Sequence, residues 1–411
     1  MSDSLPLAMP LQPITFPPSR AAGLERLSAF VHRAGRSYAA ERNHDIAGHE
    51  NVSRLSPWLR HRAVTEAEVA AAVLDHFAPA TAEKFLQEVL WRTYFKGWLE
   101  RRPAIWRDYL QGLDHARDRL ATESGLRAAW VDACEGRTGI APFDHWAREL
   151  TQTGYLHNHA RMWFASIWMH TLRLPWELGA DFFLRHLLDG DPASNTCSWR
   201  WVGGLHTRGK VYRARASNIA KYSDGEWDAS TLGHQLARED QVTPLDGPEP
   251  PAPRPVPIDT PFDTNLRSGL LLTEDELNAD FLRLRGLRPV ASAVLIAPAG
   301  RSPLTVSSRV RDWTRAIAQD VAGPDTPVFE GAAALVAWAG AQDIDQLVVP
   351  YTPVGPAREI LDAAELALPM PLIRPLRAWD AATWPHATAG FFKTKAQMGT
   401  TLASIPQDIG V

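Results

Sequence analysis

Apolar residues recur at every third or fourth position from about Gly23 to Tyr222, as in the stretches GLERLSAFVHRAG and AEKFLQEVLWRTYFKGWL. This spacing is the repeat of an amphipathic α-helix, and prolines fall between the periodic stretches, where helices begin or end. The pattern therefore predicts that the first part of the chain is all-helical.

Further along the chain, short apolar runs alternate with helical periodicity. The apolar runs are Ala291 to Ala297, QLVVPY and PLIRPL, and helical periodicity covers Ser308 to Val321, Ala332 to Ala341 and Pro356 to Leu368. Alternating strands and helices predict a parallel sheet covered by helices on both faces. No glycine-rich phosphate loop accompanies the strands, so this fold by itself predicts no ligand.

The stretch TPLDGPEPPAPRPVPIDTPFDT separates the two patterns and contains eight prolines. Proline excludes a regular helix and favours an extended spacer. A chain of 411 residues also exceeds the ~300 at which a single core usually stops growing. We predict a helical domain over residues 20–242, a Pro-rich linker over 243–264 and a smaller Rossmann-like parallel α/β domain over 265–411.

Composition narrows the class of protein. The hydrophobic fraction of 45% and the charged fraction of 22% are typical of soluble globular proteins. Two cysteines, Cys134 and Cys197, exclude a disulfide framework and a four-thiolate iron–sulfur or zinc site. The first residues lack the basic and apolar segments of a leader, and no apolar run approaches ~18 residues, so we expect a cytoplasmic protein without a membrane segment.

The net charge of −4 is unevenly distributed. Residues 1–245 hold 29 Lys+Arg and 28 Asp+Glu, whereas residues 246–411 hold 14 and 19. Neither part has the strongly basic surface of a general nucleic-acid coat protein. A DNA site would therefore be a local patch.

The most informative stretch runs from Thr153 to Trp201. Asp189 and Asp191 flank Gly190, so two carboxylates can emerge from one tight turn and accept from a ligand with several N–H or O–H donors. Asn195 follows four residues after Asp191, and its neutral amide can either donate or accept a hydrogen bond.

Aromatic and basic side chains accompany this turn. Most of the sixteen tryptophans precede residue 230, and Trp176, Trp199 and Trp201 lie close to the turn in sequence, which suggests a path for stepwise electron transfer. Arg161 is expected to pair either with a carboxylate such as Asp189 or with the oxygens of a bound ligand, because a guanidinium is costly to bury alone.

Earlier in the chain, NVSRLSPWL places Ser53 and Ser56 just before a helix, an arrangement that receives phosphate oxygens. Arg54, Arg60 and Arg92 are available as countercharges.

Each feature also has a commoner structural explanation. A serine before a helix is usually an N-cap, an Asp-Gly-Asp turn is usually solvated, and clustered tryptophans usually pack a core. His157 and His159 diverge on a helix and have no evident third ligand nearby, so no metal site is predicted.

As an ordered set, however, SRLSPWL, FLQEVLWR, EGRTG, TGYLHNHARM, LLDGDPASN and SWRW resemble the FAD-binding half of DNA photolyases and cryptochromes. The matching segments cover roughly Tyr38 to Tyr222. The resemblance implies FAD as the cofactor and assigns site residues position by position.

On the phosphate and adenosine side of FAD, the resemblance places Tyr38, Ser53, Leu55, Ser56 and Arg92. Along the ribityl chain and the flavin ring, it places Arg161, Asp189, Asp191 and Asn195. In the tryptophan electron chain, Trp199 takes the flavin-proximal position and Trp176 the middle one, and Trp130 is a positional guess for the surface member.

The positions that contact a DNA lesion in the family correspond to Glu88, Trp91, Asn158, Met162 and Trp201. Relatives that repair the (6-4) photoproduct carry two histidines at the places of Asn158 and Met162, so Asn and Met here match the cyclobutane-dimer enzymes. Arg or Lys is usual at His159, which puts tight binding of the DNA backbone in question.

The resemblance implies a deoxyribodipyrimidine photo-lyase, in which light-excited reduced FAD gives an electron to a cyclobutane pyrimidine dimer flipped out of damaged DNA. The alternative is a cryptochrome-like blue-light sensor that uses the same flavin and tryptophans and signals to a protein partner. Family members carry an α/β antenna-binding domain before the helical one, whereas here the order is reversed. A second, antenna chromophore of unknown identity would belong to the C-terminal domain, and the oligomeric state is not predicted.

Overall fold

The computed structural model describes residues 14–410. Residues 1–13, which hold most of the N-terminal stretch where no leader is expected, and Val411 lie outside the described part. Among residues 14–410, none of the helices combines the length and the hydropathy needed to cross a bilayer.

The first part of the chain is helical, as predicted. Its α-helices are α1 Arg20–Val31, α2 Arg36–Glu41, α3 Ser56–Arg60, α4 Glu66–Leu74, α5 Glu83–Glu100, α6 Ala104–Thr122, α7 Ser124–Glu135, α8 Ala141–Thr153, α9 Asn158–Ser166, α10 Trp176–His186, α11 Pro192–Val202, α12 Ala216–Tyr222 and α13 Ala229–Gln235. A π-helical turn, Ile167–Thr171, continues α9. Helix α5 crosses the middle of this part and packs on α11.

The second part contains a five-stranded parallel sheet in the order β3-β2-β1-β4-β5. Its strands are β1 Ser268–Thr273, β2 Pro289–Leu295, β3 Val328–Phe329, β4 Gln346–Val348 and β5 Leu372–Ile373. The helices are α14 Asp280–Leu284, α15 Ser308–Ala322, α16 Ala332–Gly340, α17 Pro356–Glu365, α18 Ala378–Thr383, α19 Phe391–Lys395, α20 Met398–Leu402 and α21 Ile405–Ile409. The predicted fold class, a helical part followed by a Rossmann-like α/β part, is confirmed.

The sequence analysis missed β1, the central strand. Its residues SGLLLT are all buried, but three successive leucines are good helix formers and give no alternating pattern.

Residues 242–263 form neither helix nor strand. The hydrophobic core nevertheless continues from one part of the chain to the other, and the rings of Trp58 and Trp313 lie 6.3 Å apart. The division into separate domains with boundaries at 242 and 265 stays a prediction.

Buried charges join the two parts. Arg60 donates to Asp275 at 2.5 Å and to Glu274 at 3.1 Å, and Arg62 donates to Glu276 at 2.7 Å. Each of these side chains is at most 6% exposed. The acidic residues directly follow β1, so the carboxyl end of the central strand meets the segment between α3 and α4.

A second contact reaches the same edge of the sheet. Glu100, at the end of α5, accepts from the hydroxyl of Tyr351 at 2.8 Å and from the backbone N–H of Val354 at 2.6 Å. Tyr351 and Val354 follow β4, the neighbour of β1. The helical part thus fills the edge between these two strands.

A buried acid–histidine cluster lies among the helices and predicts a pH dependence. Nε2 of His49 lies 2.6 Å from Oε1 of Glu149, and Nδ1 lies 3.4 Å from Oδ1 of Asp45. Burial lowers the pKa of His49, but Glu149 and then Asp45 outweigh it, so this pKa lies above its ordinary value. Burial raises the pKa of Asp45 to about 7.

Both pKa shifts favour the protonated forms in the folded state. The stabilisation by protonated His49 is therefore fully present below pH ~6.5 and is lost as the pH rises through the raised pKa. The ionisation of buried Asp45 also lowers the free energy of unfolding as the pH rises to about 7. We expect the free energy of unfolding, measured by urea denaturation, to fall between pH 6 and 8. Glu149→Gln removes the main cause of the His49 shift and should flatten this fall; an equally steep fall in that variant would refute the assignment.

Candidate functional site

The Asp189-Gly190-Asp191 turn lies between α10 and α11, and close packing shapes it. A Cβ atom on Gly190 would lie only 3.1 Å from the carbonyl oxygen of Leu187. Asp191 is the N-cap of α11, since its Oδ1 accepts from the backbone N–H of Ser194 at 2.7 Å. Pro192 occupies the first helical position, where its missing N–H is not needed.

Arg161 and Asp189 form a two-point ion pair, as the sequence analysis expected. Nη1 and Nη2 of Arg161 donate to Oδ1 and Oδ2 of Asp189 at 3.1 and 2.9 Å, and Nε donates to the carbonyl of Leu156 at 3.0 Å. Burial raises the pKa of Asp189, but the charges of Arg161 and Arg92 outweigh it and hold the pKa below its usual range. The carboxylate is therefore ionised and fixed.

Asp191 is surrounded by three cations. Oδ2 lies 3.6 Å from Nζ of Lys96, 3.8 Å from Nη1 of Arg92 and 4.0 Å from Nε of Arg60. Burial raises the pKa of Asp191, but Lys96, Arg60 and Arg92 together lower it well below its ordinary value. Lys96 was not among the predicted site residues, although it lies one helical turn beyond Arg92 on α5.

Several buried side-chain nitrogen and oxygen atoms on α5, on α11 and on Arg301 make no hydrogen bond among residues 14–410, although two of them lie within 4.0 Å of Asp191 as ionic contacts. They are Nη1 of Arg92, Nζ of Lys96, Oγ of Ser194, Oγ1 of Thr196, Nε1 of Trp199 and Nη1 of Arg301. An unpaired buried donor costs about 1–3 kcal/mol, and more when it is charged. A ligand rich in acceptor atoms would satisfy these donors, and the diphosphate and ring oxygens of FAD have this chemistry. The residues present therefore fit the cofactor that the resemblance implies.

The remaining predicted FAD contacts lie on the neighbouring helices. Leu55 is fully buried, Ser53 Oγ accepts from the N–H of Leu55 at 3.4 Å, and Ser56 begins α3. Tyr38 packs edge-on against Phe85, with ring centroids 5.1 Å apart. The structure shows Tyr38 and Leu55 packed in the core, and Ser53 bonded within the turn that precedes α3.

Asn195 is 7% exposed and donates from Nδ2 to the carbonyl of Ala180 at 2.8 Å. This bond holds the amide against α10.

Trp199 contacts a further tryptophan, Trp168, which the sequence analysis did not single out. The ring of Trp199 contacts Trp168, with centroids 6.2 Å apart in an edge-on arrangement. Trp168 is fully buried and donates from Nε1 to the carbonyl of Pro175, the residue before Trp176. Trp168 lies on the π-helical turn Ile167–Thr171. The spacing of apolar residues along the chain did not distinguish it from other buried residues.

Trp176 contacts Tyr109, which in turn contacts Trp106, with centroid distances of 5.7 and 5.2 Å. Trp106 donates to Glu359 of α17 at 2.8 Å. Trp130, the guess for the surface member, is half-buried on α7.

The predicted lesion contacts differ in accessibility. Glu88 is paired with Arg42 at 2.7 Å. Burial raises the pKa of Glu88, only partly offset by Arg42. Asn158 is exposed and Met162 is half-buried.

Trp201 stacks on Tyr212, with centroids 5.6 Å apart. The hydroxyl of Tyr212 lies 3.2 Å from Nε2 of His159. Burial lowers the pKa of His159, so its imidazole is neutral at pH 7. It therefore does not replace the positive charge of the Arg or Lys that is usual at this position in the family.

Trp91 is covered by a residue that the sequence analysis did not single out. Phe391 of α19 stacks on it with ring centroids 3.8 Å apart and an interplanar angle of 10°. Phe391 is only 4% exposed. The two residues are 300 positions apart, so no local pattern could have shown the contact.

The part of the chain that holds this site is similar to known proteins. The FAD binding domain of DNA photolyase matches residues 85–230, which hold α5, the Arg161–Asp189 pair and the Asp191 turn. This part of the chain is similar to the photolyase/cryptochrome family, as the sequence analysis predicts, and the matching family domain is one that binds FAD.

Two curated photolyase relatives show the extent of the likeness. The chain is 37% identical to the deoxyribodipyrimidine photo-lyase of Thermus thermophilus over 194 residues, which are 46% of this chain and 43% of the relative. It is 35% identical to that of Streptomyces griseus over 168 residues, 41% of this chain and 35% of the relative. The chain thus spans less than half the length of these relatives.

Among solved structures, a class III photolyase from Agrobacterium tumefaciens is 27% identical, with a TM-score of 0.42, over 50% of this chain and 43% of that chain. A cryptochrome from Synechocystis is 24% identical, with a TM-score of 0.41, over 51% and 44%.

Proposed function

We propose that the protein is a light-driven, FAD-dependent deoxyribodipyrimidine photo-lyase that repairs cyclobutane pyrimidine dimers in damaged DNA. The observation that carries this proposal is the Arg161–Asp189 pair beside Asp191, with buried donors that lack hydrogen bonds, within a region that matches the photolyase FAD domain. We also propose a cytoplasmic location, as the sequence analysis expects.

Bound FAD supplies light-driven one-electron chemistry. The family positions assign Arg161, Asp189, Asp191 and Asn195 to hold the ribityl chain and ring, and Arg92 the phosphates. Because Asp189 and Asp191 have lowered pKa values, both stay ionised at neutral pH. Their charges would orient the surrounding cations and donors without moving a proton.

At the DNA side, Trp91 and Trp201 would offer flat faces for a flipped dimer. Glu88 would accept from a base N–H group, while Asn158 and Met162 would line the floor. Trp199 has an unpaired Nε1 and contacts Trp168, and these rings with Trp176 would carry electrons inward.

The test is a repair assay on the reduced, FAD-loaded protein with a thymine-dimer oligonucleotide under blue light, followed by the recovery of thymine absorbance. Recovery should require light and should be lost in Trp201→Ala. Trp227→Ala is the matched control, because Trp227 is also half-buried but contacts His145, with the two rings tilted by 60°. No recovery from a protein that binds FAD and is photoreduced would refute repair.

One observation favours the alternative, a blue-light sensor. Phe391 occupies the face of Trp91 that a dimer needs, and it belongs to the C-terminal part that could signal to a partner. A sensor would photoreduce without restoring thymine, and damaged DNA would not change the lifetime of its reduced state.

The stacked Phe391 gives a prediction that separates the two functions. In Phe391→Ala, a dimer no longer has to displace an aromatic ring, so we expect severalfold tighter binding of a dimer-containing oligonucleotide. Phe392→Ala is the matched control, since the neighbouring Phe392 is 79% exposed. Fluorescence anisotropy would measure both affinities. Unchanged affinity in a folded Phe391→Ala protein would exclude Trp91 as the base-stacking face.

A further inference from the structure

A second group of buried cations lies away from the Asp191 turn. Arg102 directly follows the last turn of α5, Arg200 lies in the last turn of α11, and His206 follows α11. Arg102 is 7% exposed and Arg200 is 5% exposed. None of the three residues was assigned a role by the family positions.

The unusual feature of this group is its unpaired nitrogen atoms. Nε and Nη1 of Arg102, Nε and Nη2 of Arg200, and Nδ1 of His206 are buried and have no hydrogen-bond partner among residues 14–410. Within the same residues, no carboxylate oxygen lies within 4.0 Å of either guanidinium group, whereas Arg60, Arg62 and Arg161 each have one. Two buried positive charges therefore lack countercharges.

The side chains of Arg102 and His206 lie together at Trp98. The guanidinium carbon of Arg102 lies 4.6 Å from the centre of the Trp98 ring, and the ring of His206 lies 4.3 Å from it. The backbone N–H groups of Leu205 and His206 both donate to the carbonyl of Arg200, at 2.8 and 3.1 Å, which ties the His206 loop to the end of α11.

Other contacts fix which atoms remain free. Nη2 of Arg102 donates to the carbonyl of Thr388 at 2.7 Å. The hydroxyl of Tyr94 donates to the carbonyl of Ala389 at 2.7 Å and therefore accepts from Nε2 of His206, 2.9 Å away. Nδ1 of a neutral His206 then carries a lone pair.

Charge repulsion within the group agrees with this geometry. Burial lowers the pKa of His206 to about 3, and the charges of Arg200 and Arg102 contribute to that decrease. Burial also lowers the pKa of Arg200, and the acidic groups of Cys197, Asp108 and Glu177 do not compensate for it.

An uncompensated buried guanidinium destabilises the folded protein, and a partner with negative charge and several acceptor atoms would compensate for it. Planar guanidinium groups match the oxygen geometry of phosphate with paired N–H bonds. A P–OH group could also donate to the lone pair on Nδ1 of His206.

We propose that Arg102, Arg200 and His206 form a site for a phosphate group, next to the proposed flavin site but separate from it. The phosphate comes either from a small molecule such as inorganic phosphate or from the backbone of a nucleic acid strand. Either source supplies the same oxygen acceptors.

The test uses the FAD-loaded protein and inorganic phosphate as the probe. At matched pH and ionic strength, replacing chloride with phosphate should raise the melting temperature by a few degrees, and calorimetry should show one bound phosphate without release of FAD. Arg102→Gln and Arg200→Gln should each weaken phosphate binding at least about tenfold, because each removes charge-assisted hydrogen bonds. The same variants should melt at a higher temperature than the wild type in chloride, because they remove an uncompensated charge.

Arg107→Gln is the matched control, since Arg107 is an exposed arginine on α6 and should have no effect. A short single-stranded oligonucleotide distinguishes the two sources. Competition with phosphate would identify a nucleic-acid backbone, and absence of competition would identify a small phosphate-bearing molecule. The proposal is overturned if phosphate gives no increment over chloride, if the Arg102 and Arg200 variants respond like Arg107→Gln, or if phosphate binds only after FAD leaves.

Discussion

Asp189→Ala should leave the purified protein colourless. The substitution removes the carboxylate that holds Nη1 and Nη2 of Arg161, and the side chain of Asp189 is only 2% exposed. The guanidinium would be left partly buried without its partner, a change that costs about 3–5 kcal/mol when a buried pair is broken. The visible flavin absorbance per mole of protein, after reconstitution with excess FAD, is the measurement.

The matched control is Asp181→Ala. Asp181 is a fully buried aspartate on α10 that pairs with Arg185 at 2.7 Å, outside the flavin site. It should lose stability of a similar order but still bind FAD. Wild-type flavin content in a folded Asp189→Ala protein would show that the Asp189 turn does not hold the cofactor.

Arg62→Met should produce the largest loss of stability. Arg62 is 1% exposed and donates to Glu66 at 3.0 Å, to Glu276 at 2.7 Å and to Asp380 at 2.6 Å. Its removal leaves three carboxylates buried without their shared cation. We expect a decrease of about 3–5 kcal/mol in the free energy of unfolding, measured by urea denaturation.

The deficit in Arg62→Met should shrink as the pH is lowered. Carboxylates that lose a cation have raised pKa values in the folded state, so protonation at low pH relieves the cost and ionisation at higher pH restores it. Arg33→Met is the control, because Arg33 pairs with Glu41 at the surface, where the two side chains are 43% and 48% exposed, and should change stability by less than ~1 kcal/mol. A deficit in Arg62→Met no larger than in Arg33→Met would show that the buried network contributes little.

The sequence allowed the local part of the candidate site to be predicted. Arg161, Asp189 and Asp191 lie within one stretch of about thirty residues, and their types and spacing indicated an ion pair beside a tight turn. The helices that carry them have strong periodicity, so their positions followed from the pattern.

Contacts between distant segments could not be predicted in this way. The Arg60–Glu274 pair joins residues 214 positions apart, and the Phe391–Trp91 stack is still more distant in sequence. Neither the acidic residues after β1 nor the phenylalanines of α19 differ locally from ordinary surface or core residues. Trp168 was missed for another reason, because one tryptophan among many on a helical stretch gives no sign of which ring contacts Trp199.

The filled edge between β1 and β4 affects which wavelengths of light the protein can use. In doubly wound sheets, this crevice beyond the carboxyl ends of the strands is where ligands usually bind. Here Arg60 and Glu100 of the helical part occupy it. An antenna pigment would need a different place on the α/β part. Without one, the action spectrum of the protein would follow the absorption of its flavin alone.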